Sequence, residues 1–197
     1  MHEIISLPGY GGSGAAHWQT LWEAAPSSIR RFCPTDWYRP ELADWLRALD
    51  TSVGEGREPP VLIAHSLSCL LVAHWAVRAR STIRGAFLVA PPNPASRSFP
   101  AAAVSFGDFP RERLPFPAQV IASSNDPFGS IEYARELALA WGAEFVDAGA
   151  LGHINAESGI GDWREGRALF DVFCARIAGA ADLAGARRWQ HEENSYM

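Results

Sequence analysis

Short unbroken apolar runs alternate along this chain with stretches in which apolar residues recur every three or four positions. The runs Ile4–Leu7, Val61–Ala64, Ala86–Ala90 and Ala118–Ala122 have the length and composition of buried strands. Ile29–Cys33 and Glu144–Val146 are predicted as two further strands, the first weakened by Arg30 and Arg31. Between them, Trp18, Leu21 and Trp22 mark one helix face, and Leu42, Trp45, Leu46 and Leu49 another. Ile131, Ala134, Leu137, Ala138 and Trp141 mark a third, and Trp163, Phe170, Phe173 and Ile177 the last. A helix is also predicted from Ser66 to about Arg80. Strands that alternate with helices predict an α/β protein: about six mostly parallel strands, with helices on both faces. In such sheets ligands bind beyond the carboxyl ends of the strands, so loops that follow strands are where chemistry is sought.

Two segments interrupt this rhythm. Pro91–Pro117 holds seven of the fourteen prolines, no predicted helix, and Phe99, Phe106, Phe109 and Phe116. A loop of that length in a compact domain is usually functional or disordered. After Gly179 the chain turns Ala/Gly-rich and then polar, so residues 181–197 read as a solvated C-terminal tail on a single domain, 1–180.

Composition narrows the classes. With 197 residues, 48% hydrophobic and 20% charged, the chain is long enough for one independent core and too apolar for disorder. The net charge of −5 and the absence of a basic cluster argue against a nucleic-acid partner. No run is long enough to span a membrane, and Met1–Leu7 lacks a basic leader. Cys33, Cys69 and Cys174 are odd in number and widely spaced, which predicts reduced thiols and a cytoplasmic protein. No metal-ligand spacing occurs, so no metal and no cofactor are expected.

The candidate chemistry begins at Val61-Leu62-Ile63-Ala64-His65-Ser66-Leu67-Ser68. A strand running into a serine that opens a helix is how a nucleophile elbow is built, although Ala64 and Ser68 replace the glycines of Gly-x-Ser-x-Gly. A methyl and a hydroxymethyl group are small enough to predict a shifted turn rather than a lost one. A serine hydroxyl needs a histidine to take its proton and an acid to orient that histidine. The order serine, acid, histidine, each after a strand, occurs once: Ser66, Asp126 and His153. Taken singly, Ser66 fits a helix cap, Asp126 before Pro127 a turn, and His153 an exposed loop position. Their joint placement favours the catalytic reading. Asp147 competes with Asp126 but stands only six residues before His153. The backbone N–H groups of Tyr10 and Leu67 are the candidate oxyanion donors. His65 is expected to face away from the elbow and fill space. Phe99, Phe106 and Phe109 are candidates for lining an acyl pocket, against the alternative that they pack their loop onto the core.

These pieces resemble the small serine hydrolases grouped with retinoblastoma-binding protein 9, a compact branch of the α/β-hydrolases with little or no cap. The carrying blocks are Leu7-Pro8-Gly9-Tyr10-Gly11-Gly12-Ser13 with His17-Trp18-Gln19, then Ala64-His65-Ser66-Leu67, and then Ala90-Pro91-Pro92 and Leu114-Pro115-Phe116-Pro117. The most specific are Ser123-Ser124-Asn125-Asp126-Pro127-Phe128 and Gly152-His153-Ile154-Asn155 with Ser158-Gly159 and Gly161-Asp162-Trp163. The resemblance implies a cap-less α/β-hydrolase fold and places nucleophile, acid and base on the same three residues. It also implies ester or amide hydrolysis. The Leu-x-Cys-x-Glu run associated with retinoblastoma binding is absent, so that partner is not expected. The expected function is a carboxylesterase- or amidase-like serine hydrolase acting on a small-molecule ester or amide through an acyl-enzyme. The alternative is a hydrolase-fold binding or scaffold protein with a vestigial site.

Overall fold

The computed structural model describes residues 3–25, 29–79 and 81–193, with side chains as far as residue 180. Six strands form one sheet: β1 Ile4–Leu7, β2 Ile29–Arg31, β3 Val61–His65, β4 Gly85–Val89, β5 Ala118–Ala122 and β6 Glu144–Asp147. All neighbours pair in parallel, in the order β2-β1-β3-β4-β5-β6. The helices between them are α1 Trp18–Ala24, α2 Leu42–Gly54, α3 Leu67–Ala76 and α4 Ile131–Trp141. The chain runs outward from β1 to β2 and then returns past β1 to β3. The sheet's switch point therefore falls between β1 and β3, where their two following loops diverge.

Register explains why the central strands are apolar throughout. Ile5, Leu62, Ala86 and Ala118 lie side by side across four strands, as do Leu7, Ala64, Leu88 and Val120. These rows share one core with Trp45, Leu46 and Leu49 of α2, Leu70 and Leu71 of α3, and Leu137 and Trp141 of α4. The alternate residues Ile63, Phe87, Val89 and Ile121 are buried too, on the opposite face. Right-handed crossovers put α1 on that face, away from α2 to α4. There Trp18 packs edge-on against Trp22 and Trp163, with ring centroids 4.7 and 5.2 Å apart. Such pairs contribute about 0.5–1.5 kcal/mol each beyond area burial.

The helix following Ser66 ends at Ala76, well short of Arg80, which lies outside the described residues. It is apolar all round, with Leu67 to Ala73 and Trp75 buried, because the sheet covers one side and α2 and the loop after β4 the others. That loop is not wholly irregular: Ala101–Phe106 forms a short 3-10 helix packed on α3. β2, the edge strand, is held by its own charges. Arg30 pairs with Glu3 and Glu55, and Arg31 with Glu23.

The described residues fall into two units, one ending at Trp163 and one beginning at Arg164. The second is α5, Arg164–Glu193. The segment expected to be a tail beyond residue 180 is thus helical backbone as far as Glu193, and residues 194–197 lie outside the described residues. Its alanine, arginine and glutamate are good helix formers, so polarity there did not mean irregular chain. Among the described residues, no helix is long and apolar enough to cross a membrane.

Candidate active site

Ser66 directly follows β3 and caps α3 with φ 55° and ψ −122°, a conformation that non-glycine residues rarely adopt. Three contacts hold it there. Its N–H donates to the Val89 carbonyl at 2.9 Å, its carbonyl accepts from the Cys69 N–H at 2.9 Å, and Gly9 closes over it. A Cβ on Gly9 would stand 2.8 Å from Ser66 Cβ and 3.0 Å from the His65 carbonyl oxygen. Only a glycine lets the loop after β1 approach this closely.

The three residues expected to act together are within hydrogen-bond reach. His153 Nδ1 lies 2.9 and 2.8 Å from the two Asp126 carboxylate oxygens, and Nε2 lies 2.7 Å from Ser66 Oγ. A carboxylate at Nδ1 keeps the proton on that nitrogen, so Nδ1–H donates to Asp126 and Nε2 accepts from the Ser66 hydroxyl. Asp126 is almost fully buried and His153 nearly so, at 3% and 9% side-chain exposure. Asp147 is not part of this arrangement; its carboxylate accepts from the Gly149 N–H at 2.8 Å.

The loops that carry Asp126 and His153 are tied to each other. Asn125 Oδ1 accepts from the Gly152 N–H at 2.7 Å, and Ser123 Oγ accepts from the Leu151 N–H at 2.9 Å. The loop carrying His153 closes on itself, where Ser158 Oγ donates to the Leu151 carbonyl and accepts from the Asn155 N–H. Phe128 packs against the His153 imidazole with ring centroids 4.4 Å apart. These bonds give physical roles to most of the Ser123–Phe128 and Gly152–Ser158 blocks.

Residues around these three hold the site together, and the sequence reading gave them no role in it. His65 does not face away: it lies between His17 and His153, with ring centroids 4.7 and 5.0 Å away, and its Nε2–H donates to the His153 carbonyl at 2.9 Å. Trp18 Nε1–H donates to the next carbonyl, that of Ile154, at 2.8 Å. Ile154 is itself strained, at φ 46°. The loop carrying His153 is thus gripped at two consecutive carbonyls. His17 Nδ1 accepts from the Gln19 N–H and caps α1, while Gln19 bridges Ser13 Oγ and the Ile63 carbonyl. Burial, helped by Arg31 and His153, lowers His17 to about 4. Burial holds His65 well below its usual range, and a proton on His17 or His153 would lower it further. Both are therefore neutral at physiological pH. One clue was available: each belongs to a block that the family resemblance rests on.

A cavity of about 360 Å³ opens at Ser66. Its wall includes Gly9, Tyr10, Leu67, His153 and Phe128. Among described residues, no hydrogen bond uses the N–H of Tyr10 or Leu67, so both donors remain available at the cavity. Of the three phenylalanines, Phe99 lines the cavity. Phe106 and Phe109 do not. Phe106 is fully buried, packed edge-on against Trp45 at 5.3 Å, and Phe109 lies against Trp141 at 5.9 Å. The 3-10 turn at 101–106 carries Phe106 inward onto α3, so its place is the core. Among the described residues, no three His, Cys, Asp or Glu side chains are grouped to hold a metal ion.

The model of a serine hydrolase family matches residues 4–172. This chain belongs to the serine hydrolase family. Among solved structures, a YdeN-like hydrolase from Pectobacterium atrosepticum shares 32% identity with this serine hydrolase, over 88% of this chain and 91% of that one, with a TM-score of 0.80. The ydeN gene product of Bacillus subtilis is 19% identical over 89% and 100% of the two chains, with a TM-score of 0.74. The type II thioesterase BorB of the borrelidin cluster is 16% identical over 88% and 91%, with a TM-score of 0.59. The last two show the shared fold alone. No curated protein matches the chain. The six parallel strands, their flanking helices and these neighbours make it an α/β-hydrolase.

Proposed function

We propose that this serine hydrolase cleaves small esters or activated amides through an acyl-enzyme, with Ser66, His153 and Asp126 as nucleophile, base and orienting acid. The observation that carries this reading is the continuous hydrogen-bonded chain from Ser66 Oγ through His153 to Asp126, opening into the cavity. His153 Nε2 takes the Ser66 proton as Oγ attacks the carbonyl carbon, and Asp126 stabilises the imidazolium. The N–H groups of Tyr10 and Leu67 receive the charge on the tetrahedral intermediate. The imidazolium then protonates the leaving alcohol or amine. Water, deprotonated by the same imidazole, attacks the acyl-enzyme and frees the acid and Ser66.

The charges of the cavity wall favour an uncharged or amine-bearing acyl group. Among the described residues, Glu157 is the one carboxylate in its wall and no arginine lines it, so an anionic group would meet repulsion without a counter-charge. Within the hydrolases, the reading is that of a carboxylesterase or amidase of the retinoblastoma-binding protein 9 branch, working in the cytoplasm.

Labelling with a fluorophosphonate tests the proposal. Ser66 is expected to carry the adduct, with none in Ser66→Ala and strongly slowed labelling in His153→Ala. A well-folded protein that takes no label, or takes it elsewhere, would overturn the reading and favour a binding role for the fold.

A further inference from the structure

Ser68 stands where elbows of this kind usually carry glycine, and its side chain is fully buried. Its hydroxyl donates to the Pro8 carbonyl at 2.6 Å, across 60 positions of sequence. The two ends of this bond flank the two candidate oxyanion donors. Ser68 follows Leu67, and Pro8 stands two residues before Tyr10. Gly9, between Pro8 and Tyr10, is packed so tightly on Ser66 that it has no room for a Cβ.

From this geometry we infer that Ser68 is a positioning residue: its hydroxyl clamps the Pro8–Tyr10 loop to the start of α3 and fixes the spacing of the Tyr10 and Leu67 N–H groups. The inference rests on the hydrolytic reading of Ser66. A glycine at position 68 leaves the two walls held by packing alone. The hydroxyl ties them with a short bond that water does not reach, so the donors are spaced before charge develops. The elbow has lost a glycine and gained a strut.

The substitutions that test this are Ser68→Ala, Ser68→Gly and Ser68→Cys. Removing the hydroxyl is expected to lower kcat about 10- to 100-fold on a p-nitrophenyl ester and leave KM within about threefold, as losing one oxyanion contact does. Ser68→Cys keeps a weak donor and is expected to fall between wild type and Ser68→Ala. A trifluoromethyl ketone, whose hemiketal oxygen occupies the same place, separates positioning from mere structure. Its inhibition constant should rise in step with the loss of kcat/KM across the series. Unchanged kcat in folded Ser68→Ala, or lost kcat with unchanged inhibitor affinity, would overturn the inference. Activity that survives Ser66→Ala would instead sink the hydrolytic reading, and this inference with it.

Discussion

Phe99 and Phe106 stand seven positions apart in one proline-rich loop, yet the structure gives them opposite work. Phe99 faces the cavity, while Phe106 closes an aromatic chain through Trp45 to Phe32, with centroids 5.3 and 5.6 Å apart. Truncating Phe106 leaves a hole that close-packed neighbours fill poorly. Phe106→Ala is expected to cost about 3–5 kcal/mol of stability, measured by urea unfolding, with the preference for acyl chain length unchanged. Phe99→Ala is expected to shift that preference toward longer acyl groups at a smaller cost. If Phe106→Ala changed the preference and Phe99→Ala did not, the assignment of the cavity wall would be wrong. Sequence could not separate the two, because an irregular loop has no period from which to read facing. A different limit hid His65, at the end of β3, and His17, the cap of α1. Their roles depend on loops from distant parts of the chain meeting at one place.

Some elements with a strong period or an unbroken apolar run were legible to their ends, while β3 and β4 came out one residue off at an end. β1, β5 and α4 follow from Ile4–Leu7, Ala118–Ala122 and the Ile131–Trp141 face, and α4 is bounded by the Ser130 cap and by Gly142 at φ 65°. β2 was faint, since its arginines look wrong for a strand until Glu3, Glu55 and Glu23 are seen beside them. The meeting of Ser66, Asp126 and His153 was legible for a different reason: parallel topology sends every strand's carboxyl end to one edge of the sheet, so order along the chain carries spatial information. The elbow itself joins two elements, β1 and β3, whose loops touch at Gly9. Gly9→Ala is therefore a test at this scale. Its methyl would overlap Ser66 Cβ and two backbone atoms, none at the free end of a flexible side chain. The β1 loop must then lift from the elbow. The expected result is a loss of at least about 100-fold in kcat/KM, on the scale of losing an oxyanion donor, in a protein that retains its far-ultraviolet spectrum. Near-normal turnover in Gly9→Ala would mean that the close approach is incidental.

For the molecule as a whole, the buried histidines tie folding to pH. His17 is only 5% exposed and lowered to about 4 in the folded state, against an ordinary value of 6.5 in the unfolded chain. Between those values the unfolded chain binds a proton that the native protein refuses. Its contribution to stability is complete above about pH 6.5, declines as pH falls, and is fully lost near pH 4, below which both states are protonated and the curve levels. The span corresponds to about 3 kcal/mol for His17 alone. His65 is shifted in the same direction and adds to the loss. The wild-type curve sums every titrating group, so it cannot isolate the effect of His17. His17→Asn can, since asparagine keeps an acceptor for the Gln19 N–H at the start of α1 and does not titrate. Urea unfolding from pH 7.5 to 4.5 should show a steep fall for wild type and a shallower one for His17→Asn. Parallel curves would mean that His17 titrates in the folded protein as it does in the unfolded one. In that case, protonating this histidine in the cavity wall would cost the fold nothing.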